Sequence, residues 1–180
     1  MPQTLSQIEA LARELASGGL RAGLRWLNRR VAHRFTAAYL LEGQMLRLVA
    51  FVDKLEQPVH EGLKAVPLQD SFCVMAIRDG QFVTADGSAD ARLDGHPAQH
   101  WVRSYVGLPV HRGPNELIGT FCHLDYDPQT IEDREYAFLQ DAVTFLSPYV
   151  ERGNKRRSSG PPGAIAVGAP PSAAQTRKPG

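Results

Sequence analysis

The stretch over residues 104–125, SYVGLPVHRGPNELIGTFCHLD, constrains the fold of this chain more than any other. Residues 105–110 alternate with the period of two that is typical of a strand, and a second strand pattern runs over 117–124. Gly113, Pro114 and Asn115 supply turn residues between them. The stretch therefore predicts a β-hairpin, and hairpins build antiparallel sheets.

Three residues inside this hairpin are unusual for a strand. Gly107 and Gly119 lie within the two strands, where a glycine often marks the close approach of another backbone or of a ligand. Pro109 has no N–H to donate to a neighbour, so we expect its strand to be bulged or at a sheet edge there.

The other segments predict helices on both sides of more strands. Apolar spacing and turn residues predict two N-terminal helices over 4–16 and 20–32, separated by Gly18 and Gly19, and then a hairpin with strands over 35–41 and 45–52. A loop over 54–69, a short helix over 72–78, a strand over 81–84 and a polar segment over 86–100 precede the central hairpin. After it we expect a helix that is opened by a capping box at Thr130 and is ended or kinked near Pro148. This order predicts an α+β domain.

Composition excludes several classes of protein. A net charge of +1 argues against bulk electrostatic binding to nucleic acid or to acidic membranes. No apolar run reaches the length of a membrane span, and Glu9, Arg13 and Glu14 interrupt any signal-peptide core. Two cysteines are too few for a disulfide scaffold, so we expect a cytoplasmic protein.

A family resemblance begins in the central hairpin. The patterns Tyr105-x-Gly107-x-Pro109 and Leu-Ile-Gly119-Thr-x-Cys122-x-x-Asp resemble the C-terminal half of a bacterial GAF domain, a small-molecule-sensing or dimerising module of signalling proteins. Further segments resemble the same subgroup, namely Val66-Pro67, Ser71-Phe72-Cys73, and the set Asp86, Asp90, Arg92 and Pro97. The match spans residues 24–150 and departs from the pattern at Thr84, Gly87, Leu93, Ser104 and His123.

The resemblance implies an architecture. It implies a central antiparallel sheet of about six strands, with helices packed on one face and a loop-covered pocket on the other, beneath residues 54–103. We expect an N-terminal amphipathic helix over 1–19, a GAF domain over 20–152, and a disordered tail rich in Pro, Gly, Ala and Ser over 153–180.

Nine residues are candidates for ligand binding: Phe72, Cys73, Phe82, Asp86, Asp90, Arg92, Trp101, Tyr105 and His123. The aromatic members could stack on a ring or belong to the core. Asp86, Asp90 and Arg92 could orient a polar ligand, or they could order their own segment through Asx-turns and an ion pair. Because the departures from the family pattern fall around the pocket, no particular ligand carries over.

The cysteines and histidines allow several kinds of chemistry. Cys73 at a helix start could pair with Cys122 in a redox reaction or hold a bilin, but free cysteines are usually buried and structural. Some GAF proteins reduce free methionine sulfoxide, with a denser cysteine pattern than this one. His96 and His100 have a zinc-type spacing, and no third ligand is implied by sequence, although His60, His111 or His123 could supply one in space. One of these histidines could also be the axial ligand of a haem. We predict no metal and leave the cofactor unassigned.

Three functions follow from the sequence. The first is a free-standing GAF sensory or regulatory module that binds a small molecule and signals through dimerisation or a partner chain such as a kinase or cyclase. The alternatives are an interaction module with an empty pocket, or a thiol-based redox enzyme using Cys73 and Cys122. No phosphate loop, nucleophile elbow or carboxylate pair supports other catalysis, so no catalytic residue is predicted. A cavity lined by Cys73, Asp86 and Tyr105 would favour the small-molecule-binding module over the two alternatives.

The N-terminal helix also predicts an assembly. Its apolar stripe lies outside the segment that resembles GAF domains, and an amphipathic helix must bury its apolar face. We expect a homodimer in which Ile8, Leu11 and Leu15 pack on the partner chain. The alternative is that this helix folds back on its own domain.

Overall fold

The computed structural model describes residues 2–155 of the chain, with side chains over 4–153. Within this range there are four α-helices and six strands. The helices are α1 (Pro2–Asn28), α2 (Cys73–Asp79), α3 (Asp133–Ala142) and α4 (Ser147–Lys155), and the strands are β1 (Phe35–Glu42), β2 (Met45–Asp53), β3 (Ala65–Pro67), β4 (Phe82–Thr84), β5 (Ser104–Arg112) and β6 (Glu116–Asp125).

The six strands form one sheet in the order β3-β2-β1-β6-β5-β4, and every neighbouring pair is antiparallel. This confirms the predicted α+β class and sheet. The central hairpin is β5–β6, with Ser104 opposite Asp125. At Pro109 the structure matches the expectation, because β4 pairs with β5 only as far as Gly107 and the β5–β6 register shifts just after Val110.

Alternate residues of the central strands face two separate cores. Ala38 and Leu40 of β1 pack beneath α1, α3 and α4 on one face. Ala37 and Tyr39 pack on the other face, beneath α2 and the segment 85–103. We call the second face the α2 face and residues 85–103 the cover. The large helices therefore lie on one face, as predicted.

The N-terminal helix folds back on its own domain. α1 is sharply kinked at Gly19, whose φ of 68° and ψ of −163° interrupt the helix. A Cβ placed at Gly23 would overlap Leu15 and contact Leu11, so the two halves of α1 pack side by side. Leu11 and Leu15 are 0% and 2% exposed in the single chain. The predicted packing of these residues on a partner chain is wrong, since their own core buries them.

Several element boundaries differ from the sequence predictions. Helix α1 ends at Asn28, because the side-chain amide of Asn28 donates to the carbonyls of His33 and Arg34. The capping box at Thr130 is wrong: Glu132 precedes α3, and no side chain caps it. The helix predicted to end near Ser147 ends earlier, at Ala142, and after a 3₁₀ turn over 143–145 Pro148 lies in the first turn of α4.

The remaining differences concern a loop and the tail. The segment 54–69 contains strand β3 and two 3₁₀ turns, which its mixed composition did not reveal. The predicted tail begins too early, because residues 153–155 are helical; its remainder, 156–180, lies outside the described residues. In residues 2–155 no helix has the length and apolar character of a bilayer span.

Candidate functional site

The α2 face is built around three buried aromatic rings. Phe72, Phe82 and Tyr105 are each at most 3% exposed. The Phe72 ring packs edge-to-face on the Tyr105 ring, with the ring centroids 5.6 Å apart, and edge-to-face on the Phe82 ring, with the centroids 6.0 Å apart. Edge-to-face contacts of this kind stabilise an aromatic cluster. These three candidates therefore belong to the core of the α2 face, the alternative that the sequence left open.

The two cysteines meet beneath these rings. Cys73 Sγ accepts hydrogen bonds from Tyr105 Oη at 3.1 Å and from Thr120 Oγ1 at 3.2 Å. Thr120 and Cys122 are two residues apart on β6 and share its α2 face, so the strand places Cys122 beside Cys73. Cys73 and Cys122 are free thiols, and each is 1% exposed. Residues 49 positions apart in the sequence thus form one polar group in an apolar core.

Small neighbours make room for this group. Cys122 lies opposite Ala37 on β1 and opposite Gly107 on β5, so both adjacent strands place little bulk beside it. A Cβ at Gly107 would overlap the Tyr105 ring, which lies over this position and reaches Cys73. The sequence predicted the approach of another backbone or of a ligand at Gly107, whereas the group that approaches is the side chain of Tyr105 in the same strand.

The hydrogen bonds make the two thiols unequal. The Cys122 thiol and the hydroxyls of Ser71, Thr120 and Tyr105 lower the pKa of Cys73 to about 6, although burial acts in the opposite direction. The hydrogen bond to Cys73, together with burial, raises the pKa of Cys122. Cys73 is therefore the thiol that ionises first.

The acidic candidates lie on the outer side of the cover and not beneath it. Both carboxylate oxygens of Asp86 accept from Arg103 at 2.8 Å, and Asp86 also accepts from the Ser88 amide at 3.1 Å. Asp90 accepts from the Arg92 amide and forms an ion pair with its guanidinium. The Arg92 guanidinium lies 4.6 Å from the centre of the Phe82 ring. These residues order the cover through Asx-turns and ion pairs, the structural role that the sequence favoured over ligand binding.

These ion pairs shift the acidities of both carboxyls. The hydrogen bonds from Arg103 and Ser88 hold the pKa of Asp86 well below its usual range. The guanidinium of Arg92 lowers the pKa of Asp90 to about 2, against a partial burial that acts in the other direction. Both carboxylates are thus ionised at neutral pH, and each has its cation in place.

Two further candidates lie away from the α2 face. Trp101 is 39% exposed and packs on Tyr126 at the outside of the cover, with centroids 6.1 Å apart. His123 lies on the opposite sheet face, so its assignment to the pocket is wrong. Side chains alternate along a strand, and Cys122 and His123 cannot both face the same core. That period of two was available in the sequence and would have placed His123 correctly.

His123 belongs to a buried polar cluster under the end of α1. Its Nδ1 lies 2.7 Å from Thr36 Oγ1, and its ring stacks on His33 at 6.0 Å. Burial lowers the pKa of His33 to about 4 and that of His123 well below its usual range. Among the described residues, no three His, Cys, Asp or Glu side chains are placed to hold a metal ion.

Two surface clefts among the described residues lie away from the cysteines. One, of about 740 Å³, lies between the β5–β6 turn and α4, and the other, of about 480 Å³, lies beside Phe82 and Tyr136. Neither is lined by Cys73, Asp86 or Tyr105. The space beneath the cover is filled by Leu93, Ala98 and Val102, each at most 5% exposed. The α2 face is thus closed in this structure.

Comparison of the sequence with models of known protein families gives no match, and comparison with curated proteins gives none. Solved structures do match. The GAF domain of a phosphoenolpyruvate-protein phosphotransferase from Acinetobacter aligns with a TM-score of 0.67 and 16% identity over 87% of this chain and 98% of that chain. The chain has a GAF-type fold.

Proteins of different activity share this GAF fold. The free methionine-R-sulfoxide reductase of Neisseria meningitidis aligns with a TM-score of 0.59 and 18% identity, over 86% of this chain and 88% of that one. The chromophore-binding domain of a bacteriophytochrome from R. palustris aligns with a TM-score of 0.65 and 9% identity, over 86% of this chain and 62% of that one. The GAF fold alone therefore does not select between a sensor and an enzyme.

Proposed function

We propose that this chain is a sensory or regulatory module of the GAF type, in which a small molecule acts at the α2 face and the change passes to another chain. The arrangement that supports this proposal is the convergence of Phe72, Phe82 and Tyr105 on the polar group formed by Cys73 and Cys122. A few converging polar groups inside an apolar surround are typical of small-molecule sites.

Action at the α2 face requires the cover to move. The cover consists largely of irregular chain with 3₁₀ turns over 87–89 and 91–93. Its ion pairs Asp86–Arg103 and Asp90–Arg92 are partly exposed, and such pairs contribute little to stability. The cover is therefore the part of this face that can open at the lowest cost.

The output of the module would pass through self-association or through a partner such as a kinase or cyclase. Because Leu11 and Leu15 are buried in the chain's own core, a homodimer must use other residues. Leu5 and Phe145, which are 67% and 42% exposed on the helical side of the sheet, are apolar side chains available for such a contact.

Hydrogen–deuterium exchange tests the sensing proposal. The purified protein is mixed with the low-molecular-mass fraction of the host cell extract, and exchange is followed over the cover. We expect that fraction to change exchange in the cover of the wild type. Phe72→Leu removes a ring from the α2 face, and Phe145→Leu makes the same change at an exposed position.

The two variants Phe72→Leu and Phe145→Leu form a matched pair. The change in hydrogen exchange of the cover on adding the metabolite fraction should persist in Phe145→Leu and be lost in Phe72→Leu. No response in any peptide, or an equal response in both variants, would contradict a sensing role of the α2 face.

A thiol-based reductase is a second candidate, because the fold places Cys122 beside Cys73 on the same face of the sheet. The matched reductases suggest the test: free methionine-R-sulfoxide is supplied with dithiothreitol, and methionine is measured. A reductase gives many turnovers per chain, and none with Cys73→Ser. Fewer than one methionine per chain contradicts this candidate.

A further inference from the structure

The sequence contains two cysteines, and the fold brings both to the centre of the α2 face. Cys73 is the first residue of α2, and Cys122 lies midway along β6. Hydroxyl groups of Tyr105 and Thr120 both donate to Cys73 Sγ, where two apolar side chains would fit a core better.

This arrangement favours a reactive thiol over an inert one. A thiolate is the nucleophilic form of cysteine, and hydrogen bonds to sulfur stabilise it. Tyr105 and Thr120 both donate to the sulfur of Cys73, and Cys122, two residues from Thr120 on the same face of β6, lies beside it. A buried pair of this kind has both the attacking sulfur and the sulfur that can resolve the product.

We propose that hydrogen peroxide, or an oxidant of the same small uncharged class, acts at the α2 face and converts Cys73 and Cys122 into a disulfide. This deepens, and rests on, the proposed function that the α2 face is the sensing face.

The reaction proceeds in two balanced steps. The Cys73 thiolate attacks one peroxide oxygen, so that an S–O bond forms, the O–O bond breaks, and the leaving hydroxide takes a proton to become water. The Cys122 sulfur then attacks the Cys73 sulfenic acid. An S–S bond forms, the S–O bond breaks, and hydroxide leaves with the proton of Cys122 as a second water. Two thiols are oxidised and one peroxide is reduced.

The closed α2 face selects for a small oxidant. Leu93, Ala98 and Val102 fill the space beneath the cover, and the cysteines are 1% exposed. A charged or metabolite-sized oxidant would need a cavity that the face does not have, and burying its charge would be costly. Peroxide is uncharged and close to water in size, so a brief opening of the cover admits it.

The disulfide would change the same elements that cover the face. It ties the first residue of α2 to β6 through a bond of about 2.05 Å, shorter than any contact between free thiols. Tyr105 and Thr120 then lose the thiolate to which their hydroxyls donate. Oxidation is thereby coupled to the position of α2 and to the packing beneath the cover.

Intact-mass measurement tests the chemistry on the full-length reduced protein. Exposure to peroxide should lower the mass by about 2 Da and remove both free thiols together, and dithiothreitol should restore both. In Cys122→Ser the intermediate has no resolving thiol, so the sulfenic acid should persist on Cys73 and raise the intact mass by about 16 Da. In Cys73→Ser the remaining Cys122 should react at least about tenfold more slowly, because burial still raises its pKa after the Cys73 sulfur is gone.

Two further variants test the hydroxyl donors. Tyr105→Phe and Thr120→Val each keep the size of the side chain and remove one donor to Cys73. Each should shift the pH profile of oxidation upward and slow it about three- to tenfold at neutral pH. An unchanged profile in both would show that the hydroxyls do not activate Cys73 and would overturn that role.

The possible outcomes separate the chemistry from the sensing function. If peroxide leaves both thiols free in the native wild type but oxidises them after unfolding in urea, the oxidant inference is wrong, and a response of the cover to the metabolite fraction would still support sensing. The inference is equally wrong if Cys73→Ser is oxidised as fast as wild type, or if disulfides join separate chains. A disulfide that leaves exchange in the cover unchanged supports the chemistry and contradicts signalling through this face.

Discussion

At the scale of single residues, Gly119 shows how closely two strands approach. It pairs with Leu40 of β1, and a Cβ at this position would overlap the carbonyl oxygen of Tyr39. Strand propensity favours valine over glycine, yet backbone atoms cannot move aside as a flexible side chain can. We expect Gly119→Val to lower the free energy of unfolding by at least about 3 kcal/mol in urea titrations.

The neighbouring Ile118→Val is the control for Gly119→Val. Ile118 is 5% exposed, and losing its terminal methyl group should cost about 1 kcal/mol. If Gly119→Val is as stable as Ile118→Val, the glycine is not required by the approach of Tyr39.

A second residue-scale expectation concerns acid stability. The pKa of His33 falls from its ordinary 6.5 to about 4 in the folded protein because the ring is buried, with Asp125 and Lys54 acting in opposite directions. The unfolded chain therefore binds a proton between these values that the folded chain does not. Stability should fall as pH falls from 6.5 and level off below 4, with His33 alone accounting for about 3 kcal/mol.

Urea titrations at several pH values between 7 and 4.5 measure this loss. His33→Gln should make the profile flatter, whereas the same change at the exposed His100 should leave it unaltered. A His33→Gln profile parallel to that of the wild type would show that the buried ring does not cause the acid sensitivity.

At the scale of elements, helix α1 decides between a fold-back and a partner contact. Leu11 is 0% exposed in the single chain, whereas Leu5 on the same helix is 67% exposed. A glutamate at position 11 would be buried without a counter-ion. We expect Leu11→Glu to lower the free energy of unfolding by about 4 kcal/mol or to prevent folding, and Leu5→Glu to change it by less than about 0.5 kcal/mol.

Light scattering and urea titration together distinguish the two arrangements. If Leu11→Glu stays as stable as the wild type and only turns a dimer into a monomer, this leucine contacts a partner chain and not its own core.

Most helices and strands could be predicted from the sequence, because the periodicity of apolar residues and the turn residues that define them lie within short stretches of chain. The β5–β6 hairpin carried its alternation, its turn residues and its unusual Pro109 in one stretch, and the structure places all of them as predicted. The direction of α1 after Gly19 was not readable, because an apolar stripe reports that a helix face is buried but not what buries it. Strand β3 was missed because its three residues are too few for a period to show.

At the scale of the whole molecule, the candidate site depends on contacts between distant segments. The sequence named Cys73, Phe72 and Tyr105 but could not bring Cys122 against Cys73, since that contact needs both the sheet register and the approach of α2. Asp86 looked like a pocket residue because it lies in the cover. Its partner Arg103 at the end of the same segment turns it outward. The resemblance to GAF domains predicted on which face of the sheet a pocket would lie. Only the packing of the cover in the structure shows that the α2 face is closed.

The closed α2 face yields a prediction about how the molecule opens. The sequence has two tryptophans, and the fold places one on each side of the sheet. Trp26 packs on Phe138 beneath the large helices, and Trp101 lies in the cover against Tyr126. The single-tryptophan variants Trp101→Phe and Trp26→Phe therefore report separately on the helical body and on the cover.

Urea unfolding followed by tryptophan fluorescence measures both parts. Segments with few buried contacts open at free energies well below that of global unfolding, and the cover is irregular chain that carries partly exposed ion pairs and three well-buried apolar side chains. Trp101 should thus report a transition at lower urea than Trp26. Coincident transitions would mean that the cover and the body unfold as one unit, and then no oxidant or metabolite could reach Cys73 by opening the cover alone.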